Sequence, residues 1–139
     1  MCSECSSPDN TNFNADLSRW NVSSATTFRS TFAYCSSFNQ DLSKWETGKA
    51  TEMRFFFYNA TRFESDLSNW DVSLVRNAYS MFFGAQSFTS DLSRWQTGNI
   101  EDMGFMFHGA LSFNSDLPWD TSKVTSLRSI FRQASSFNG

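Results

Sequence analysis

Phenylalanine returns every 25 residues along this chain, at Phe13, Phe38, Phe63, Phe88 and Phe113, and Phe137 follows one residue early because the last copy lacks a residue before Trp119. A fixed period of this size constrains architecture more strongly than any local propensity, because so small a unit cannot enclose its own apolar side chains and has to stack on its neighbours. On the same frame Asp16, Asp41, Asp66, Asp91 and Asp116 form one invariant column, and Leu17, Leu42, Leu67, Leu92 and Leu117 another. Trp20, Trp45, Trp70, Trp95 and Trp119 make a third, which accounts for all five tryptophans. The frame separates a polar leader or N-terminal cap over 1–12 from a single solenoid domain over 13–139, whose copies run 13–37, 38–62, 63–87, 88–112 and 113–136 before a sixth opens.

Within each copy two rhythms alternate. Asp-Leu-Ser-x-Trp is short, leads into the period-two pair Trp20 and Val22 in the first copy, and is bounded by polar Asn, Ser and Gly, the pattern of a short strand with its bends. The second half spaces apolar residues at Val75, Ala78, Met81 with Phe82, and Ala85 in the third copy, and at Ile100, Met103, Met106 with Phe107, and Ala110 in the fourth. Steps of this kind predict one stripe of a helix about three turns long. One short strand plus one short helix per 25-residue repeat gives an α/β solenoid. A crossover through a helix within one sheet is right-handed almost always. Strands ~4.8 Å apart beside helices that need ~8–10 Å make such a stack curve in the manner of leucine-rich repeats. Gly48 and Gly98, where the first and third copies have Ser23 and Ser73, lay a two-copy pattern over the single one.

Composition narrows the partners. The chain is 40% hydrophobic, ample for a continuous core, and its net charge of −3 offers no global basic field to concentrate nucleic acid or hold an anionic membrane. Apolar runs such as Phe55 to Tyr58 fall far short of the ~20 residues that span a bilayer, so no membrane insertion is expected. The polar start from Met1 to Asn10 shows no signal peptide, which fits an excised fragment. Three cysteines cannot all pair within one molecule. Cys2 and Cys5 have metal-ligand spacing, but a structural zinc takes about four ligands and no second pair follows. A disulfide from Cys2 or Cys5 to Cys35, with Cys5 and Cys35 as the candidate pair, would staple the leader to the first copy in an oxidising compartment.

The run from Phe38 through Asp41, Leu42 and Ser43 to Trp45, followed by Met53 and by Phe57-Tyr58-Asn59-Ala60, resembles the BspA-like repeat of bacterial and protist surface proteins. Its pattern, F-N-x-D-L-S-x-W-D-V-S-x-V-T-x-M-x-x-M-F-x-x-A, covers Phe13 to Asn138. The resemblance implies a degenerate leucine-rich-repeat protein displayed on a cell surface and engaged in adhesion. Gly48, Gly98, Cys35 and Pro118 depart from the pattern locally.

Several columns carry polar chemistry. The carboxylates of Asp16, Asp41, Asp66, Asp91 and Asp116, beside Asn14, Asn39, Glu64, Thr89 and Asn114, form a ladder of oxygen ligands that calcium would accept. Against that, Asp side chains at turns cap backbone amides, and like charges one rung apart survive best when fixed N–H donors satisfy each of them. The second use is expected, with no metal. The tryptophans would serve as a sugar platform only if their faces were open, and beside Leu and Val columns they are expected in the core with the phenylalanines. The lone His108 has no cysteine near it in the frame, and a regular ladder of carboxylates is not a tuned acid and base, so neither catalysis nor a cofactor is expected. The triplets at Asn21 and Asn59 match the N-glycan acceptor, but they lie inside the repeat frame, where such triplets arise by chance. Thr47, Thr97 and Thr121, interrupted by Val22 and Val72, make no continuous threonine ladder of the kind that orders ice.

The residues that vary between copies are where a ligand would be distinguished. They are Arg19, Lys44, Asn69 and Arg94, with Asn21, Glu46, Asp71, Gln96 and Asp120. The expectation is a non-catalytic, extracellular or surface-displayed module that recognises a protein or a glycan. The alternatives are an assembly element that associates end to end through its C-terminal repeat, and a calcium-binding solenoid.

Overall fold

The structure, a computed structural model, describes residues 12–139. Among them there is no helix, and β pairing is confined to single parallel bridges that link Thr27 to Glu52, Glu52 to Asn77, Asn77 to Asp102 and Asp102 to Ser126. The expected α/β solenoid, with a strand and a helix in each repeat, is therefore overturned. The leucine-rich-repeat curvature lapses with it, since that argument rested on helices being wider than strands. Each 25-residue copy is instead a chain of tight turns laid on the next copy.

The backbone shows why. In the segment that reads as helical, alternate amides leave their own copy: Phe28, Ser30, Phe32 and Tyr34 donate to the carbonyls of Glu52, Arg54, Phe56 and Tyr58 at 2.6–3.1 Å. The amides between them close turns at home, Thr31 to the Phe28 carbonyl and Cys35 to that of Phe32, both at 3.2 Å. Two residues per copy sit in the left-handed region, at Ser30 and Tyr34, Phe55 and Asn59, Ser80 and Gly84, Phe105 and Gly109, and Ser129 and Gln133, with φ between 51° and 69°. A left-handed residue costs a non-glycine side chain ~1–2 kcal/mol and ends a helix outright. Here it recurs at residues whose own amides, such as those of Ser30 and Tyr34, reach the neighbouring copy, where a hydrogen bond returns ~1 kcal/mol, while the next amide closes a local turn. A turn every three or four residues spaces apolar side chains as a helix does, so the stripe survives although the helix does not.

The enclosed side chains stack in register. Along the Phe38 column, ring centroids of successive copies lie 5.8–6.1 Å apart from Phe13 to Phe137. A second column, Phe32, Phe57, Phe82, Phe107 and Phe131, repeats at 5.5–5.7 Å. The two columns touch where one copy runs into the next, as Phe57 does Phe63 at 4.0 Å. Leu42, Leu67 and Leu92 fill the space beside them and are fully buried. Trp45, Trp70, Trp95 and Trp119 reach back across the interface, each donating its indole N–H to the leucine carbonyl of the preceding copy at 2.9–3.2 Å. Trp20 has no such partner among the described residues and is 51% exposed. At the other end Leu127, Ser129, Phe131 and Gln133 hold the register positions of the outgoing donors, and their amides meet no backbone acceptor among the described residues.

Candidate recognition surfaces

The aspartates sit on an exposed edge, and four of them are occupied by the backbone. The carboxylates of Asp16, Asp41, Asp66 and Asp91 accept the amides of Ser18, Ser43, Ser68 and Ser93 at 2.8–2.9 Å. Hydrogen bonds from the serine two residues on hold all four below the usual carboxylate pKa. Pro118 takes the serine position after Asp116 and has no amide to offer. Between copies the ladder is welded by serine: Ser90 Oγ accepts the buried Leu67 amide at 2.9 Å and donates to Asp66 at 3.2 Å, and Ser115 does the same for Leu92 and Asp91. Among the described residues no three His, Cys, Asp or Glu side chains converge as metal ligands would.

A second row of caps explains the alternating glycines. Asn21, Asp71 and Asp120 accept the amides of Ser23, Ser73 and Ser122 at 2.9–3.1 Å. A Cβ on Gly48 would stand 2.7 Å from an Asp71 carboxylate oxygen, and one on Gly98 2.9 Å from that of Asp120. The glycines leave room for the carboxylate of the copy above.

The residues that vary between copies, Arg19, Lys44, Asn69, Arg94, Asn21, Glu46, Asp71, Gln96 and Asp120, are all exposed. Most of them line shallow hollows between successive copies. One of them, about 490 Å³, is bounded by Lys44, Trp45, Glu46, Gly48, Lys49, Asn69 and Asp71. A neighbouring hollow takes in Arg19, Trp20, Asn21, Lys44 and Glu46, and another Asn69, Asp71, Arg94 and Gln96. Asp71 and Asp120 have structural work as caps, so the variation is not all free for a ligand.

The remaining candidates fall in different places. Phe38, Phe63, Phe88 and Phe113 are fully buried, Phe13 is half-buried at the first interface, and of the tryptophans only Trp20 is exposed. Asn21 lies on the surface with its side-chain oxygen bonded to Ser23, and Asn59 is half-buried against Gly84. Cys35 is buried and disulfide-bonded, while the pairing with Cys5 or Cys2 and the leader cap over 1–11 lie outside the described residues.

One surface was not singled out by the repeat columns. On the face built by the left-handed segments, Tyr34, Tyr58, Phe83 and His108 touch in succession at 5.2, 4.7 and 4.6 Å between ring centroids. Beside them Phe55, Tyr79 and Phe105 meet edge to face at 5.5 and 5.7 Å. The Arg128 guanidinium lies 5.3 Å over the Phe105 ring. Tyr34 is exposed and the other rings are half-buried. His108 Nδ1 is buried without a hydrogen-bond partner. The hint in the sequence was an aromatic residue recurring just outside the core stripe, at Phe55, Tyr58, Phe83 and Phe105.

A family model described as "Mycoplasma protein of unknown function, DUF285" matches residues 8–95 and again 64–139. No curated protein and no solved structure matches the chain.

Proposed function

We propose that this chain, which belongs to the DUF285 family, is a non-catalytic recognition module displayed outside the cell, and that adhesion to a protein or a glycan is its work. The observation that carries the reading is a division of labour along the stack. Residues that repeat are spent on the core and on backbone caps, whereas Arg19, Lys44, Asn69, Arg94, Glu46 and Gln96 vary and stand together on one exposed edge. The disulfide at Cys35 supports an oxidising compartment. The BspA-like resemblance of the repeat supports surface display.

The test is a binding screen of the purified chain against immobilised glycans and extracellular-matrix proteins, repeated with a variant carrying Lys44→Ala, Asn69→Ala and Arg94→Ala. Binding that falls at least tenfold in a variant with unchanged melting supports the edge. A screen with no binder in either class would overturn the reading. A second reading, assembly through stack ends, rests on the amides of Leu127, Ser129, Phe131 and Gln133, which meet no backbone acceptor among the described residues. Another coil of the same kind would satisfy them, and concentration-dependent sedimentation of the chain tests that alternative.

A further inference from the structure

We infer that the aromatic face is a second binding surface and that it takes a linear acidic polysaccharide, carboxylated or sulfated, laid along the stack. The inference deepens the recognition reading and rests on it, adding a ligand class and a different face.

The argument begins with which part of each ring meets solvent. An aromatic ring is electronegative on its faces and electropositive at its rim. Tyr58, Phe83 and His108 lie nearly parallel, at 11° and 9°, so their faces are spent on one another. The Arg128 guanidinium is set over the face of Phe105. What these stacked rings leave to solvent is therefore their rim, which favours an anion.

Charge on the same face has the same sign. The left-handed segments carry Arg29, Arg54, Arg128 and Arg132, against only Glu52 and Asp102. Glu52 is occupied by Arg54, whose Nε lies 3.3 Å away, and Asp102 accepts the Gly104 amide at 2.8 Å. Arg29, Arg128 and Arg132 are exposed. A chain with net charge −3 thus carries three exposed arginines on these segments against the one carboxylate, Asp102, left without an arginine partner, with the aspartate ladder in another part of the repeat.

Shape and backbone then choose among polyanions. The surface is two rings wide and runs along the stacking direction, which suits one polymer strand better than a bilayer. Nucleic acid bases bind by stacking on successive open ring faces, and here Tyr58, Phe83 and His108 stack on one another and, of these rings, only Tyr34 is exposed. An acidic peptide adding as a strand needs a free backbone edge, whereas along the face the alternate amides of the first four copies are already bonded to the next copy. A polysaccharide needs neither. Its carboxylates or sulfates pair with guanidinium groups, and its hydroxyls meet Tyr34, Tyr58 and Tyr79 and the hollow of about 290 Å³ that Ser30, Ala33, Tyr34, Phe55 and Tyr58 enclose.

The experiment measures affinity for polygalacturonate and dextran sulfate, with neutral dextran, polyglutamate and phosphatidylserine vesicles as comparisons. Two variants remove the same charge from different faces: Arg29→Gln with Arg128→Gln and Arg132→Gln, and Arg19→Gln with Lys44→Gln and Arg94→Gln. The expected result is binding to both acidic polysaccharides and not to neutral dextran, weakened by salt and lowered tenfold or more by the first variant alone. Equal losses in the two variants would reduce the effect to net charge and overturn the inference. Loss confined to the second variant would overturn it too while leaving recognition by the variable edge intact. Stronger binding to polyglutamate or to vesicles would replace the polysaccharide with that partner. No binding to any glycan or matrix protein would remove both readings together.

Discussion

Replacing Gly109 with alanine separates a chain of turns from a helix by the sign of the effect. Gly109 sits at φ +69°, in the middle of the apolar segment that spaces its residues as a helix would. In an exposed helix interior, glycine to alanine stabilises by ~1 kcal/mol. In the left-handed region the added Cβ meets its own carbonyl and costs ~1–2 kcal/mol. The surroundings add nothing further, because the nearest heavy atom to that Cβ would be the Gly84 Cα at 3.7 Å, an ordinary contact. Gly84→Ala supplies the comparison: its φ is +66° and its Cβ would collide with the Asn59 side-chain oxygen, so it pays the same backbone cost and must displace Asn59 as well. Urea denaturation of wild type, Gly109→Ala, Gly109→Asn and Gly84→Ala should rank them in falling midpoint as wild type, Gly109→Asn, Gly109→Ala and Gly84→Ala, since asparagine tolerates this conformation. A Gly109→Ala midpoint above wild type would refute the turn architecture.

Three further outcomes follow from the interfaces. Ser90→Ala leaves the Leu67 amide buried without an acceptor and should cost ~1–3 kcal/mol in denaturation, while Ser65→Ala, whose contact with the Leu42 amide is longer at 3.3 Å, should cost less. Trp70→Ala removes a buried ring and its bond to the Leu42 carbonyl and should cost ~3–5 kcal/mol; Trp20→Ala, at a site 51% exposed, should cost far less, and equal losses would contradict the end effect. Acid should destabilise the stack. Asp16, Asp41, Asp66 and Asp91 have folded pKa values below 3.8, so their contribution is complete above that value and is lost as pH falls through the lowered ones. Melting temperature followed from pH 6 to pH 2, with carboxylate titration by NMR, checks the direction, and Ser90→Ala should raise the Asp66 value.

The sequence was legible where chemistry recurs at a fixed offset. The invariance of phenylalanine, leucine and tryptophan across copies located the core columns, because stacked identical units put equal residues in equal surroundings. It misled on secondary structure for a physical reason: turns closed every three or four residues give Val75, Ala78, Met81 and Phe82 the same facing as a helix. The discriminating residues were Asn59, Gly84 and Gly109, a column of left-handed formers where a helix would want none. The expected strand at Asp-Leu-Ser-x-Trp failed because Asp41 and Ser43 spend their groups on a local cap, and the bridges form at Glu52 and Asn77 instead. The variable edge was visible as variation. The aromatic face was only hinted at, by Phe55, Tyr58, Phe83 and Phe105 outside the core stripe, because Tyr58, Phe83 and His108 share a column only by their ring shape.

The fit of Gly48 beneath Asp71 and of Gly98 beneath Asp120 gives the stack a parity. Copies with glycine receive an acidic cap from above, and copies with Ser23 or Ser73 receive Glu46 or Gln96 at the same position. Excising residues 38–62 would seat Ser23 under Asp71, where its Cβ would press on the carboxylate and displace it, whereas excising 38–87 would seat it under Gln96, a close substitute for its present neighbour Glu46. The same arithmetic governs misalignment during folding: a slip by one copy is rejected by the glycine sites, and a slip by two passes them unnoticed. Lengthening or shortening of such a chain by two copies at a time therefore keeps each glycine beneath a carboxylate, although each copy is by itself one coil of the structure.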